Sequence, residues 1–279
     1  MLKDKKKKLI VVLICIFTAA VILACTLFVF PAIHESECKT RVFEDMKSKI
    51  DTVTSSVIGI IPKETGADGS VTYGSGGSGV VFRHEGDVYY ALTAAHVVNK
   101  SNSDYKVYTV RTKQNMIQDS ALENAGIEIL DNSFYESLAD VKTEHISIHS
   151  DIAVISFRSK DELNVIEFSE NQLKPNDRIV CIGHPYDKNL TFTYGNITSD
   201  IKSVMLTDKI TGKTLSNNVI EHNAYIYFGN SGGAAVSEDM KLAGINIGGS
   251  LDIFGHFNSG FLISCEQLDN CISEWEAKK

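Results

Sequence analysis

Hydrophobic positions in this chain follow two different patterns. The first is an unbroken run: Leu9 to Phe30 holds 22 residues without a charge. A helix of that length rises about 33 Å at about 1.5 Å per residue, enough to cross a bilayer core. Residues 31–52 are polar and charged, with a helical pattern around Glu44–Ile50, and read as a stalk. After Thr52 the second pattern begins. Short β-branched runs appear at Val57–Ile61, Val71–Tyr73, Val80–Arg83, Val88–Thr93, Tyr105–Arg111, Ile152–Phe157, Arg178–Ile182, Leu190–Tyr194, Asn218–Ile226, Leu242–Ile247 and Gly260–Ile263. Gly, Asn, Asp and Ser clusters separate them. This spacing predicts an all-β barrel or sandwich. Within this β-rich part no long amphipathic helix is predicted until the end, over Cys265–Glu276, and Thr112–Lys142 reads as an insertion or long loop. The strands fall into two units, 53–160 and 172–263, joined by the charged connector Ser159–Asn171. Each is about a hundred residues, the size of a small six-stranded barrel.

Charge sharpens the reading of the first thirty residues. The chain of 279 residues has 27 basic and 35 acidic side chains, a formal charge of −8. Residues 1–8 carry five of the lysines and one acid, so residues 9–279 hold 22 basic and 34 acidic side chains, or −12. That balance excludes a large basic face for nucleic acid. Lysines immediately before an apolar run stay on the cytoplasmic side and direct the rest of the chain outward. The organisation expected is a cytoplasmic tail (1–8), a transmembrane signal anchor (9–30), a stalk (31–52) and an extracytoplasmic domain (53–279). Cleavage near Pro31–Glu35 and lipidation at Cys25 are the alternatives to an uncleaved anchor. Outside the run lie Cys38, Cys181, Cys265 and Cys271. An even number in an oxidising space permits two disulfides, with three connectivities; buried free thiols are the other reading.

Three separated segments carry candidate chemistry. His96 ends the apolar segment Ala91–Val98. Asp151 immediately precedes the apolar run Ile152–Ile155. Ser231 sits in the glycine-rich turn Gly229-Asn230-Ser231-Gly232-Gly233. A serine hydroxyl is a weak nucleophile until a base takes its proton, and an imidazole titrating near neutrality suits that task. A carboxylate fixes the imidazole tautomer and stabilises its protonated form. Glycines beside the serine let backbone N–H groups approach a developing oxyanion, which makes Gly229, Asn230 and Ser231 the candidate oxyanion hole, chiefly through the N–H groups of Gly229 and Ser231. Other signals are weaker. Gly74–Gly79 fits G-x-G-x-x-G, but a strand follows it where a dinucleotide site needs a helix. His145, His149 and His184 form no metal-ligand spacing and read as exposed loop histidines. His222 and His256 flank segments expected near the cleft and otherwise read as surface residues. No metal site is expected from these spacings.

These segments resemble the trypsin-like (chymotrypsin-fold) serine proteases, and within them the HtrA (Deg-type) branch. The similarity runs through most of residues 53–264. It is carried by Gly76-Gly77-Ser78-Gly79-Val80-Val81, Leu92-Thr93-Ala94-Ala95-His96-Val97-Val98, Ser150-Asp151-Ile152-Ala153-Val154, Ile182-Gly183-His184-Pro185-Tyr186, Thr193–Ser199, Gly229–Gly233, Gly244-Ile245-Asn246 and Gly260–Ile263. The resemblance implies two perpendicular six-stranded antiparallel β-barrels with a triad between them. It assigns His96 as general base, Asp151 as its orienter and Ser231 as nucleophile. Protein or peptide substrates are implied, and no cofactor. Tyr225, Ile226, Phe228, Gly244, Ile245 and Asn246 are expected to line the substrate pocket, with a small or medium apolar P1 side chain. Only sixteen residues follow Ile263, too few for the PDZ domain usual in this branch. Ala234 stands where a proline is usual, and Phe228 where one is common. The function expected is a membrane-anchored serine endopeptidase. The alternatives are a non-catalytic binding module on the same fold, or a narrow-specificity exported protease resembling glutamyl endopeptidases.

Overall fold

The computed structural model describes residues 41–74, 76–100, 103–112, 132–184, 190–207 and 214–279. The chain divides into two units, Met1–Ser48 and Lys49–Lys279. Of the first, residues 41–48 are described, and they are helical. The apolar run 9–30 and the first part of the stalk lie outside the described residues. Among those described, no helix is long and apolar enough to cross a membrane.

The second unit is built of strands. Those of its first half are β1 (Val57–Thr65), β2 (Val71–Tyr73), β3 (Gly77–Glu85), β4 (Val88–Ala94), β5 (Ser103–Tyr108), β6 (Ala139–Ser147) and β7 (Ile152–Arg158). They form one antiparallel sheet in the order β2-β1-β3-β4-β7-β6-β5. Strand β1 also pairs with β5, through Gly59–Glu64 and Ser103–Tyr108. That pairing closes β1, β3, β4, β7, β6 and β5 into a ring, which leaves no long exposed edge. The second half supplies β8 (Arg178–Gly183), β9 (Thr191–Asn196), β10 (Lys202–Thr207), β11 (Thr214–His222), β12 (Ala234–Ser237), β13 (Leu242–Leu251) and β14 (Phe257–Ser264). Their order is β10-β11-β14-β13-β12-β8-β9, and a bridge between Ile197 and His222 brings the ends of β9 and β11 together.

The sheets carry one strand more than the six expected per unit. Among the described residues each sheet has seven, because β2 and β10 are appended at an edge. The strands that alternate least are the most buried. Ile152 to Phe157 in β7 are buried without interruption, and so are Val57 to Pro62 in β1. Burying an Ile or Val side chain is worth about 1.5–3 kcal/mol, so these runs carry much of the stability. In the second sheet Ile179, Cys181, Ile197, Ile220, Ala224, Ile226, Ala235 and Leu262 form one buried cluster.

Strand β6 occupies part of the stretch expected to be a loop. Its sequence ADVKTEHIS is half exposed and carries charges, so no apolar alternation marks it. Ahead of it, Asn132–Ser137 is a short helix; Tyr135 stacks on Tyr73 with ring centroids 4.6 Å apart. Strand β11 begins and ends four residues before the predicted segment Asn218–Ile226, because the chain turns at Asn223, whose Oδ1 accepts the Asn196 N–H at 2.7 Å.

The C-terminal helix has the predicted bounds, Cys265–Glu276. It buries Leu268, Cys271, Ile272 and Trp275, a spacing that puts them on one face. Trp275 packs on Tyr90 of the first sheet at 5.1 Å, and Glu276 pairs with Arg83 at 2.6 Å. The end of the chain thus returns from the second sheet to the first. The cysteine expectation resolves toward thiols: Cys181, Cys265 and Cys271 are free, and Cys38 lies outside the described residues.

Candidate active site

His96 follows β4 directly. The strand ends at Ala94, and Ala95–Val98 forms one helical turn that Val97 and Val98 anchor by burial. Strand β7 runs antiparallel beside β4, with Ala94 opposite Ile152. That register places Asp151 against the turn. Its carboxylate grips His96 at two points: Oδ1 accepts the backbone N–H at 2.9 Å, and Oδ2 lies 2.8 Å from Nδ1. Its carbonyl accepts the Ala95 N–H at 3.1 Å. A carboxylate accepts only, so Nδ1 carries the proton and Nε2 is the basic nitrogen of the ring. Asp151 reaches this position in a left-handed conformation, φ +54. Such a backbone costs a non-glycine residue about 1–2 kcal/mol, least for Asp and Asn. The contacts with Ala95 and His96 offset it.

Ser231 follows a tight turn. The Asn230 N–H donates to the Tyr227 carbonyl at 3.0 Å, and Gly229, third in the turn, has φ +96. A positive φ at that position is the type II signature and selects glycine. Of the three residues expected to form the oxyanion hole, Asn230 thus has its N–H engaged within the turn. Among the described residues the N–H groups of Gly229 and Ser231 donate to no protein atom. The turn is pinned to both sheets. The Ser78 N–H in β3 donates to the Ser231 carbonyl at 2.8 Å, and the Gly232 N–H donates to the Asn246 carbonyl in β13 at 2.6 Å. Gly77 sits between the two halves of the site. A Cβ there would fall 2.6 Å from Val97, the neighbour of His96, and 2.9 Å from the Ser231 carbonyl. The base segment and the serine segment therefore meet across one glycine.

The residues expected to line the pocket separate into two groups. Tyr225 and Phe228 are exposed, and with Tyr227 and Phe257 they form a chain of aromatic rings 5.0–5.9 Å apart. Ile226, Gly244, Ile245 and Asn246 are buried. Asn246 braces the serine turn from behind: its backbone N–H donates to the Gly233 carbonyl at 2.9 Å, and its side-chain amide lies 3.3 Å from the carbonyls of Gly233 and Ala234. The Cys181 thiol donates to its Oδ1 at 3.4 Å, and the His222 ring lies 3.9 Å from the same sulfur. Burial pushes the His222 imidazole from its ordinary 6.5 down to about 4, against hydrogen bonds to Asn246 and the Ala224 backbone. It pushes the Cys181 thiol up to about 12. Both groups are neutral beneath the serine turn.

The other histidines are placed differently from expectation in two cases. His184 is fully buried against Tyr108 at 4.8 Å, and His145 lies on β6 beside Glu274. His149 and His256 are exposed. Ser78, Cys181 and His222 carry no catalytic spacing. Only the Gly-Ser-Gly segment hinted at the first of them.

With this geometry in view, comparisons with known proteins place the chain. Residues 77–245 match the model of the trypsin-like peptidase domain. The chain belongs to the trypsin-like peptidase family. It is 28% identical over 225 residues to the serine protease Do-like HtrA of Bacillus subtilis, covering 76% of this chain and 43% of that protein. It is 27% identical over 244 residues to an HtrA-like serine protease of Staphylococcus aureus, covering 84% of this chain and 28% of that one. The chain thus spans less than half the length of these relatives. Its fold is similar to that of the Rv3671c protease of M. tuberculosis in its active form: the TM-score is 0.57, the identity 18%, and the match covers 80% of this chain and 82% of that one.

The buried histidine yields a pH prediction for this family member. Between about pH 6.5 and about pH 4 the unfolded chain binds a proton at His222 that the folded chain refuses. Acidification through that window therefore removes stability. In an NMR titration the His222 ring stays neutral down to about pH 4; a midpoint near 6.5 in the folded protein contradicts the burial described.

Proposed function

We propose that the chain is a serine endopeptidase in which Ser231 attacks the peptide carbonyl and His96 serves as general base. The observation that carries this reading is the two-point grip of Asp151 on His96, 2.9 Å to the backbone and 2.8 Å to the ring. It leaves Nε2 as the base and supplies a negative charge to the imidazolium that forms. His96 takes the Ser231 hydroxyl proton as the Oγ–C bond forms, and the carbonyl oxygen becomes an oxyanion. The N–H groups of Gly229 and Ser231 donate to it. The imidazolium then protonates the leaving amine and the C–N bond breaks, which leaves an acyl group on Ser231. Water, deprotonated by His96, attacks the acyl carbon; the Oγ–C bond then breaks, the imidazolium returns its proton to Ser231 Oγ, and the new carboxyl end leaves. Asp151 stays ionised throughout and acts on the ring electrostatically.

Residues 224–228 and 244–249 contain no acidic side chain, so nothing in them pairs with a Lys or Arg at P1. The exposed rings of Tyr225, Tyr227 and Phe228 favour an apolar P1. The full chain in detergent is expected to cleave peptides after apolar residues. Ser231→Ala lowers kcat by about 10⁶ and Asp151→Asn by about 10⁴. Equal cleavage by Ser231→Ala ends the assignment.

We further propose that residues 9–30 anchor the chain with residues 31–279 outside the cytoplasm. The uncharged run and the five lysines before it support this. The chain then stays with membranes in alkaline carbonate, and protease added to spheroplasts digests its body. Release into the soluble fraction, or full protection, contradicts the anchor or its orientation.

A further inference from the structure

The segment Gly76–Gly79 supplies no step of the proposed reaction, yet Ser78 within it bonds to the serine turn and to the strand that leads to His96. Ser78 is fully buried. Its carbonyl accepts the Thr93 hydroxyl at 2.6 Å, three residues before His96. Its N–H donates to the Ser231 carbonyl at 2.8 Å. Its hydroxyl donates to the Gly229 carbonyl at 2.7 Å and accepts the His184 N–H, at the end of β8, at 2.9 Å.

The bond to Gly229 has a specific consequence. The peptide plane between Gly229 and Asn230 is held at both ends: Ser78 Oγ binds its carbonyl, and the Tyr227 carbonyl binds its N–H at 3.0 Å. Glycine imposes little restraint of its own on φ and ψ. The direction of the Gly229 N–H therefore depends on what fixes the adjoining plane. An accepted N–H from His184 also polarises the Ser78 hydroxyl toward donation.

We propose that Ser78 is a positioning residue whose hydroxyl aims the Gly229 N–H at the oxyanion. This rests on the reading of Ser231 as the nucleophile. The role is distinct from joining the two sheets, which the Ser78 backbone N–H performs without the hydroxyl. Ser78→Ala removes one buried atom and keeps every backbone–backbone bond, but takes the hydroxyl away from the Gly229 carbonyl. The Gly229 N–H then loses its aim where charge develops, in the transition state, more than in the bound substrate.

The test measures kcat and KM of the full chain on an apolar-P1 peptide amide, with thermal denaturation of the same samples. For Ser78→Ala the expected result is a fall in kcat of about 10- to 100-fold with KM little changed, and a protein still folded at the assay temperature. Binding of a peptide boronate, whose tetrahedral adduct needs the same N–H, weakens in parallel. A merely structural role would lower the melting temperature and reduce activity only by the unfolded fraction. Unchanged kcat in a wild-type-like background, or a loss confined to KM, overturns the role of Ser78 alone. A wild-type chain no more active than Ser231→Ala overturns the parent reading, and this inference with it.

Discussion

The site depends on a contact between sheets: the Ser78 N–H of the first donates to the Ser231 carbonyl, in the turn that leads into the second, at 2.8 Å. His96 and Asp151 come from the adjoining ends of β4 and β7 on one side, whereas the serine turn hangs between β11 and β12 on the other. Neither sheet holds a complete set of groups. A backbone hydrogen bond suits this junction because it fixes the serine carbonyl without occupying the hydroxyl. The close approach at Gly77, against Val97 and Ser231, belongs to the same constraint, since any side chain there would push the halves apart.

Local strain and burial then set the chemistry on each side. Asp151 holds a left-handed backbone so that one carboxylate can reach both the ring and the main chain of His96. An imidazole whose Nδ1 faces a carboxylate keeps one tautomer, with its lone pair on Nε2. Behind the serine turn the requirement is the opposite: groups that stay uncharged. Cys181, His222 and Asn246 satisfy one another there, with the thiol raised and the imidazole lowered by burial. An ionised group in that place would be costly to desolvate.

The sequence made parts of this legible and hid others for identifiable reasons. The C-terminal helix was readable because Leu268, Cys271, Ile272 and Trp275 recur at helical spacing. Strands β4 and β7 were readable as apolar runs bounded by His96 and Asp151. Strand β6 was not, because exposure lets it carry charge; β12 was not, because four small residues, Ala-Ala-Val-Ser, give no periodic signal. The pairing of His96 with Asp151 followed from residue type and family resemblance. The brace did not: nothing in the spacing of Cys181, His222 and Asn246 shows that the second sheet folds them together. Treating His184 as an exposed loop residue failed for a related reason, since its burial depends on Tyr108 from the other sheet.

In the reaction proposed, Ser231 becomes a nucleophile because His96, oriented by Asp151, removes its proton. The most direct measurement of this step is peptide-resolved mass spectrometry of the full chain after reaction with a fluorophosphonate, which traps an activated serine regardless of substrate preference. One adduct is expected, on Ser231, and it forms at least about an order of magnitude more slowly in His96→Ala. No adduct on Ser231 in the folded wild-type chain, or an adduct forming equally fast without the imidazole, would contradict the reaction proposed.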